Sequence, residues 1–148
     1  MNPRRLLPLA FLSAFALASC EKEEVTAPTE VPLLATHWML ARVDSFPVEV
    51  SSYSETTKSY LELLDLGKCT VGLGPCNNFS GRFSLGSNGH LSISPQISTR
   101  VACPVQELET RYLDNLALTT RYEISSGELR LFDADTATPR LVFRQAEK

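Results

Sequence analysis

The chain has 148 residues, with 14 lysine and arginine residues against 17 aspartate and glutamate residues and a formal net charge of −3. This length suits one domain with a hydrophobic core of its own. The acidic balance excludes proteins that bind nucleic acid, or an anionic membrane surface, through a basic patch. We therefore expect no nucleic-acid partner.

Residues 1–19 are predicted to form a signal peptide that is not part of the folded domain. In "MNPRRLLPLAFLSAFALASC", two arginines precede an apolar run that is too short to span a bilayer comfortably. The "LASC" at its end resembles the lipobox of bacterial lipoproteins. That resemblance implies cleavage before Cys20 and acylation, with palmitate among the acyl groups, of its sulfur and its new amine. The alternatives are an ordinary signal peptide with an incidental cysteine and a transmembrane anchor.

Residues 20–34 are predicted to form a flexible tether between the acylated cysteine and the domain, because the stretch is charged, contains proline and lacks apolar periodicity. Two or more acyl chains on Cys20 would anchor the domain stably at a membrane. Glu21 differs from the aspartate of inner-membrane retention signals. "CEKEE" is similar to the surface-export tag of some Gram-negative lineages, although a solvated charge run has the same composition. We expect a lipid-anchored protein of the cell envelope, at the outer membrane.

Three strands are predicted at the start of the domain, in "THWMLARVD", "SYLELLDL" and "KCTVGLG". In the first two, apolar residues alternate with their neighbours, which is typical of a half-buried strand. This alternation places Trp38 in the core. The polar residues 44–58 between the first two strands predict a long loop.

The stretch "GPCNNFSGRF", residues 74–83, permits two interpretations. In the structural one, Gly81 supplies special backbone angles and the asparagines form a turn. In the functional one, the polar side chains of the stretch form a binding pocket: Asn77, Asn78, Ser80 and Arg82. We favour the structural interpretation and keep Asn77, Asn78 and Arg82 as candidate binding residues.

A single helix is predicted after Pro104. Four apolar residues lie three, four and four positions apart and so form one stripe on a helix: Val105, Leu108, Tyr112 and Leu116. Pro104 suits the first helical turn, where its missing N–H costs nothing. Glu107 and Glu109 lie near the positive end of the helix dipole.

The remaining segments are predicted strands with one apolar face. A hairpin precedes the helix, with "GSNGH" as a five-residue loop before "LSIS". "RYEIS", "ELRLF" and "RLVFR" follow the helix. Strands of this kind are typical of an antiparallel sheet with one solvated face, so we predict an α+β fold.

The three cysteines after Cys20 allow one disulfide and one free thiol, and export past the cytoplasm favours the bond. We prefer Cys76 with Cys103, because each lies beside a proline in turn-forming sequence. Cys69 with Cys76 is the alternative. In the preferred pairing, Cys69 lies in a strand as a small buried hydrophobe. A metal site is not expected, because the spacings include no C-x-x-C.

No catalytic constellation is visible. A serine or cysteine nucleophile needs a base within reach, and the two histidines, His37 and His90, lie in no recognisable motif. "GRFSLG" lacks the pattern of a nucleophile elbow. "DADT" at 133–136 has too few ligands for a calcium loop and is interpreted as a solvated turn. We expect no enzyme activity and no cofactor.

Taken in order, several segments resemble the META domain, the HslJ-like family of bacterial envelope proteins: "GPCNNFSGRF", "LSIS", "STRVACP", "YLDNL", "RYEIS" and "ELRLFD". The resemblance covers residues 35–146. It implies a strongly curved antiparallel sheet, a partly open barrel, with one helix. It also implies secreted or lipid-anchored placement and a loose link to stress response, and it carries no catalytic activity.

Two functional hypotheses follow. In the first, the chain is a lipid-anchored, non-catalytic binding, assembly or stress-response module. Its partners are the membrane, through the anchor, and an envelope protein or a small apolar ligand held in the barrel mouth. The alternative is an inhibitor of an extracytoplasmic enzyme, since small disulfide-fixed β domains often serve in that way.

Overall fold

The structure is a computed structural model that describes residues 30–48 and 59–146. The predicted signal peptide, Cys20 and most of the predicted tether lie outside these residues. Within the described ranges, no helix is long and apolar enough to cross a membrane.

The strands predicted from the sequence are present in the same order. They are β1 (Trp38–Val43), β3 (Tyr60–Leu64), β4 (Cys69–Leu73), β5 (Asn78–Leu85), β6 (Leu91–Ile93), β8 (Arg121–Ser125), β9 (Glu128–Phe132) and β10 (Leu141–Gln145). Two short strands, β2 (Phe46–Pro47) and β7 (Ile97–Ser98), were not predicted. The helix α1 (Gln106–Ala117) begins two residues after Pro104.

The sheet is antiparallel and nearly closed into a barrel. Its strand order is β6-β5-β4-β3-β1-β10-β9-β8, with β2 paired to β1 and β7 paired to β5. The two ends of this order meet, because Leu91 N donates to Thr120 O at 3.1 Å and Tyr122 N donates to Gly89 O at 2.9 Å. The predicted α+β class, a strongly curved antiparallel sheet in a partly open barrel with one helix, is confirmed.

Side chains fill the inside of the barrel. Trp38 and Phe143 are fully buried there, and the helix adds Tyr112 and Leu116, which are also fully buried. The Tyr112 ring packs edge-on against Phe79, with ring centroids 5.6 Å apart. The apolar stripe of the helix therefore completes the core that the strands leave open.

The prediction that Cys69 is a buried hydrophobe is wrong. In β4, the residues that face the core are Thr70 and Gly72, so Cys69 lies on the other face and is half-buried. Its thiol lies 3.4 Å from the carbonyl oxygen of Gly67. The sequence analysis recognised the segment as a strand, but not which of its residues face the core.

The interpretation of "DADT" as a solvated turn holds for Ala134 and Asp135, which are exposed, and is wrong for Asp133, which is only 7% exposed. Its carboxylate accepts hydrogen bonds from the Thr136 hydroxyl at 2.7 Å and from Arg140 Nε at 2.7 Å. These bonds hold the pKa of Asp133 well below its usual range, and the bond from Thr136 has the largest effect. Asp133 therefore organises the connection between β9 and β10.

Arg140, which binds Asp133, also takes part in contacts that connect the helix to the sheet. Arg140 Nη1 lies 3.5 Å from Asp44 Oδ1, and Asn115 of α1 donates to the same oxygen at 3.0 Å. Asp44 has a positive φ of 49° in the turn between β1 and β2. These polar contacts set the position of α1 against the end of the barrel.

Candidate functional site

A disulfide joins the turn before β5 to the segment that enters the helix. Cys76 and Cys103 are bonded, with Cα atoms 5.9 Å apart, so the preferred pairing is confirmed. Cys69 is the free cysteine of the described residues. The bond places the 74–77 turn beside the start of α1.

Asn77 makes a second connection between the same two segments. Its Oδ1 accepts hydrogen bonds from Val101 N at 2.7 Å and from the Thr99 hydroxyl at 2.9 Å. Its Nδ2 donates to Val101 O at 3.1 Å. Asn77 is 3% exposed, so its polar atoms are used to hold residues 99–101 in place.

The other two candidate binding residues lie elsewhere. Asn78 and Arg82 are exposed in β5, on the face opposite to that of the buried Phe79 and Phe83. Arg82 Nη1 donates to Gly67 O at 3.4 Å. The structure therefore does not gather Asn77, Asn78 and Arg82 into one pocket, and a binding role for Asn78 and Arg82 stays a prediction.

A groove of about 510 Å³ lies between α1 and residues 95–102. This volume is within the range of about 300–1,000 Å³ for small-molecule sites. Leu113 and Ala117 contribute apolar surface from the helix, and Gln96 and Thr110 contribute polar groups from the two sides. Asn77 and the disulfide fix the segment that forms one wall of this groove.

Glu109 is the functional candidate that the sequence analysis missed. It lines the groove but is only 1% exposed, and its Oε2 has no hydrogen-bond partner among the described residues. A methyl group at Gly74 would lie 3.5 Å from its carboxyl carbon, so the carboxyl group lies beneath the 74–77 turn. The sequence did indicate that this side chain faces the core, because Glu109 lies on the helical stripe between Val105 and Tyr112.

The Tyr112 hydroxyl, one helical turn after Glu109, also lacks a hydrogen-bond partner among the described residues. Burial raises the pKa of Tyr112 well above its ordinary value, and the negative charge of Glu109 raises it further. Tyr112 therefore remains a neutral phenol.

The histidines lie away from this groove. The His37 ring stacks on Tyr60 with centroids 3.9 Å apart, and its Nδ1 lies 3.8 Å from a Glu62 oxygen. His90 is exposed in the turn between β5 and β6. Among the groove residues that the structure describes, none is a histidine or a cysteine.

The comparisons with known proteins agree with this architecture. A comparison with curated proteins finds no match. An NMR structure of a protein from Burkholderia xenovorans has the same fold, with a TM-score of 0.60 and 24% sequence identity over 86% of this chain and 97% of that one. The family model described as "META domain" matches residues 31–148. The chain therefore belongs to the META domain family.

Proposed function

We propose that this chain is a lipid-anchored, non-catalytic protein of the cell envelope whose META domain acts as a binding, assembly or stress-response module. The groove between α1 and residues 95–102 carries the binding part of the proposal, because it combines a suitable volume with a buried carboxylate. The side chains that fill the barrel favour this groove over the barrel mouth as the ligand site. The lipobox-like "LASC" supports the anchor, and Glu21, in place of the aspartate of inner-membrane retention signals, supports the outer membrane.

Metabolic labelling with radioactive palmitate tests the anchor. We expect the wild-type chain to be labelled and to fractionate with the outer membrane, because its acyl chains hold it there. Cys20→Ala should abolish both, whereas Cys69→Ser, a matched loss of one thiol, should change neither. A Cys20→Ala chain that keeps the label would remove the anchor from the proposal.

Inhibition of an extracytoplasmic enzyme is the second candidate function. Residues 97–101 next to the disulfide expose two large apolar side chains, with Ile97 79% and Val101 64% exposed. A clamped, exposed apolar segment suits insertion into the cleft of another protein, since preorganisation reduces the entropic cost of binding. Capture from detergent-solubilised envelope distinguishes the two functions. A hydrolase that binds stoichiometrically and loses activity favours inhibition.

A further inference from the structure

The fold buries the carboxylate of Glu109 but leaves one of its oxygens without a hydrogen-bond partner. The side chain is 1% exposed, and Oε2 has no hydrogen-bond partner among the described residues. Burial of an ionised carboxylate is costly unless it is paired, and nearly all buried polar groups are paired. An acceptor buried at such a cost, in the wall of a groove, indicates a ligand that supplies the missing donor.

The charge of this site is not neutralised within the described part of the chain. The ion pairs that the structure shows there do not involve Glu109. Its position in the first turn of α1 gives partial stabilisation from the helix dipole. Arg100 and Asp114, both exposed, carry opposite charges in the groove, so its net charge is that of Glu109.

We infer that the groove binds an alkylammonium group, with Glu109 as its counter-ion. This inference rests on the proposed binding function and names its ligand class. An ammonium can direct one N–H to a single free oxygen, whereas a guanidinium favours two parallel bonds to both oxygens of a carboxylate. The apolar surface of Leu113 and Ala117 suits the alkyl stem of such a ligand.

Two sources supply this chemistry, the lysine side chain of an envelope protein or peptide and a free alkylamine. Because Glu109 is covered, contact with either requires the groove to widen locally on binding. The walls that move are then α1 and residues 95–102. Backbone amides of these two segments, such as those of Gln96 and Thr110, report the event directly.

Titration of the ¹⁵N-labelled full-length protein in detergent tests the inference. The probes are N-acetyl-lysine methylamide, for the protein source, and 1,5-diaminopentane, for the free amine. N-acetyl-norleucine methylamide has the apolar stem without the charge. We expect saturable shifts of the groove amides with at least one ammonium probe, and binding weaker by about ten-fold or more with the norleucine compound.

Two variants with the same change of charge separate the site from a general electrostatic effect. Glu109→Gln should weaken ammonium binding by about ten-fold or more. Glu107→Gln lies on the same helix but outside the groove, where Glu107 is exposed and pairs with Arg111. It should change the affinity by less than about two-fold. A dispersed spectrum shows that each variant is folded. The comparison with the norleucine compound uses the wild-type protein and so does not depend on the folding of any variant.

Tighter binding of the lysine probe assigns the site to a protein lysine, and tighter binding of the diamine assigns it to a free amine. The inference is overturned if neither ammonium probe gives saturable shifts, if the norleucine compound binds as well, or if both variants weaken binding equally. A protein that takes up palmitate but binds no ammonium would keep the envelope anchor and lose only this ligand.

Discussion

Replacement of Cys103 by Ser is expected to lower the Tm by about 10 °C under oxidising conditions. Cys76 and Cys103 are 27 residues apart, and a loop of that size corresponds to about 3–4 kcal/mol of stabilisation in the chain-entropy model. The bond also holds the 74–77 turn to the entry of α1. In a reductant, the melting curves of the variant and the wild type should be close to each other.

Three further variants serve as controls. Cys76→Ser, and the double variant of Cys76 and Cys103, should each resemble Cys103→Ser, because all three remove the same bond. Cys69→Ser should change the Tm little in either condition, since Cys69 is free and half-buried. If Cys69→Ser lowers the Tm strongly under oxidising conditions and Cys103→Ser does not, then Cys69 pairs with Cys76 instead.

Gly72→Ala should destabilise the domain by about 3 kcal/mol, which is at the upper end for overpacking. Gly72 faces the core in β4 and lies opposite Phe79 of β5. A methyl group there would collide with the carbonyl oxygen of Tyr60 and with the Phe79 ring. The carbonyl belongs to the backbone of β3, so the clash cannot be relieved by a rotamer change.

Gly81→Ala is the matched control in the neighbouring strand β5. Gly81 has no positive φ there, so the special backbone angles expected from the sequence are not found. The added methyl group would meet the amide end of Gln96, a flexible side chain that can rotate away. The cost is then two hydrogen bonds of that amide, from the Thr70 hydroxyl to Oε1 at 2.7 Å and from Nε2 to Ser94 O at 2.6 Å, which contribute about 1 kcal/mol each. Both variants are measured by urea unfolding. If they lose the same free energy of unfolding, this reasoning is contradicted.

Much of the fold could be predicted from local pattern. The period-two alternation around Trp38 and Leu61 predicted strands whose inward residues are buried. The Asn-Gly pair at 88 and 89 predicted the hairpin loop, and both residues have the positive φ that such a turn requires. The short strands β2 and β7 were missed, because two paired residues leave no periodic signal.

The site was harder to predict, because its residues come from segments that are distant in the sequence. Asn77 was recognised as a turn former, but its three bonds to Thr99 and Val101 depend on how β5 and β7 pair. Asn78 is its neighbour in the chain and faces solvent, because successive side chains of a strand point to opposite faces.

Glu109 illustrates a different limit. An acidic residue in the first turn of a helix has a sufficient explanation in the helix dipole, and that explanation was adopted. Its place on the apolar stripe was visible, but burial of the carboxylate follows only from the packing of α1 against the barrel. A charged residue on an apolar stripe is therefore worth testing as a binding site before its presence is explained by the helix dipole alone.

The central claim is that Glu109 serves to bind a ligand and weakens the fold that buries it. Urea unfolding of Glu109→Gln at neutral pH tests this most directly, because the two side chains have nearly the same shape. We expect the midpoint to rise at unchanged m-value, by about 1–2 kcal/mol in the free energy of unfolding, since an uncompensated buried charge is removed. A lower midpoint would mean that the carboxylate stabilises the native state and would contradict the claim.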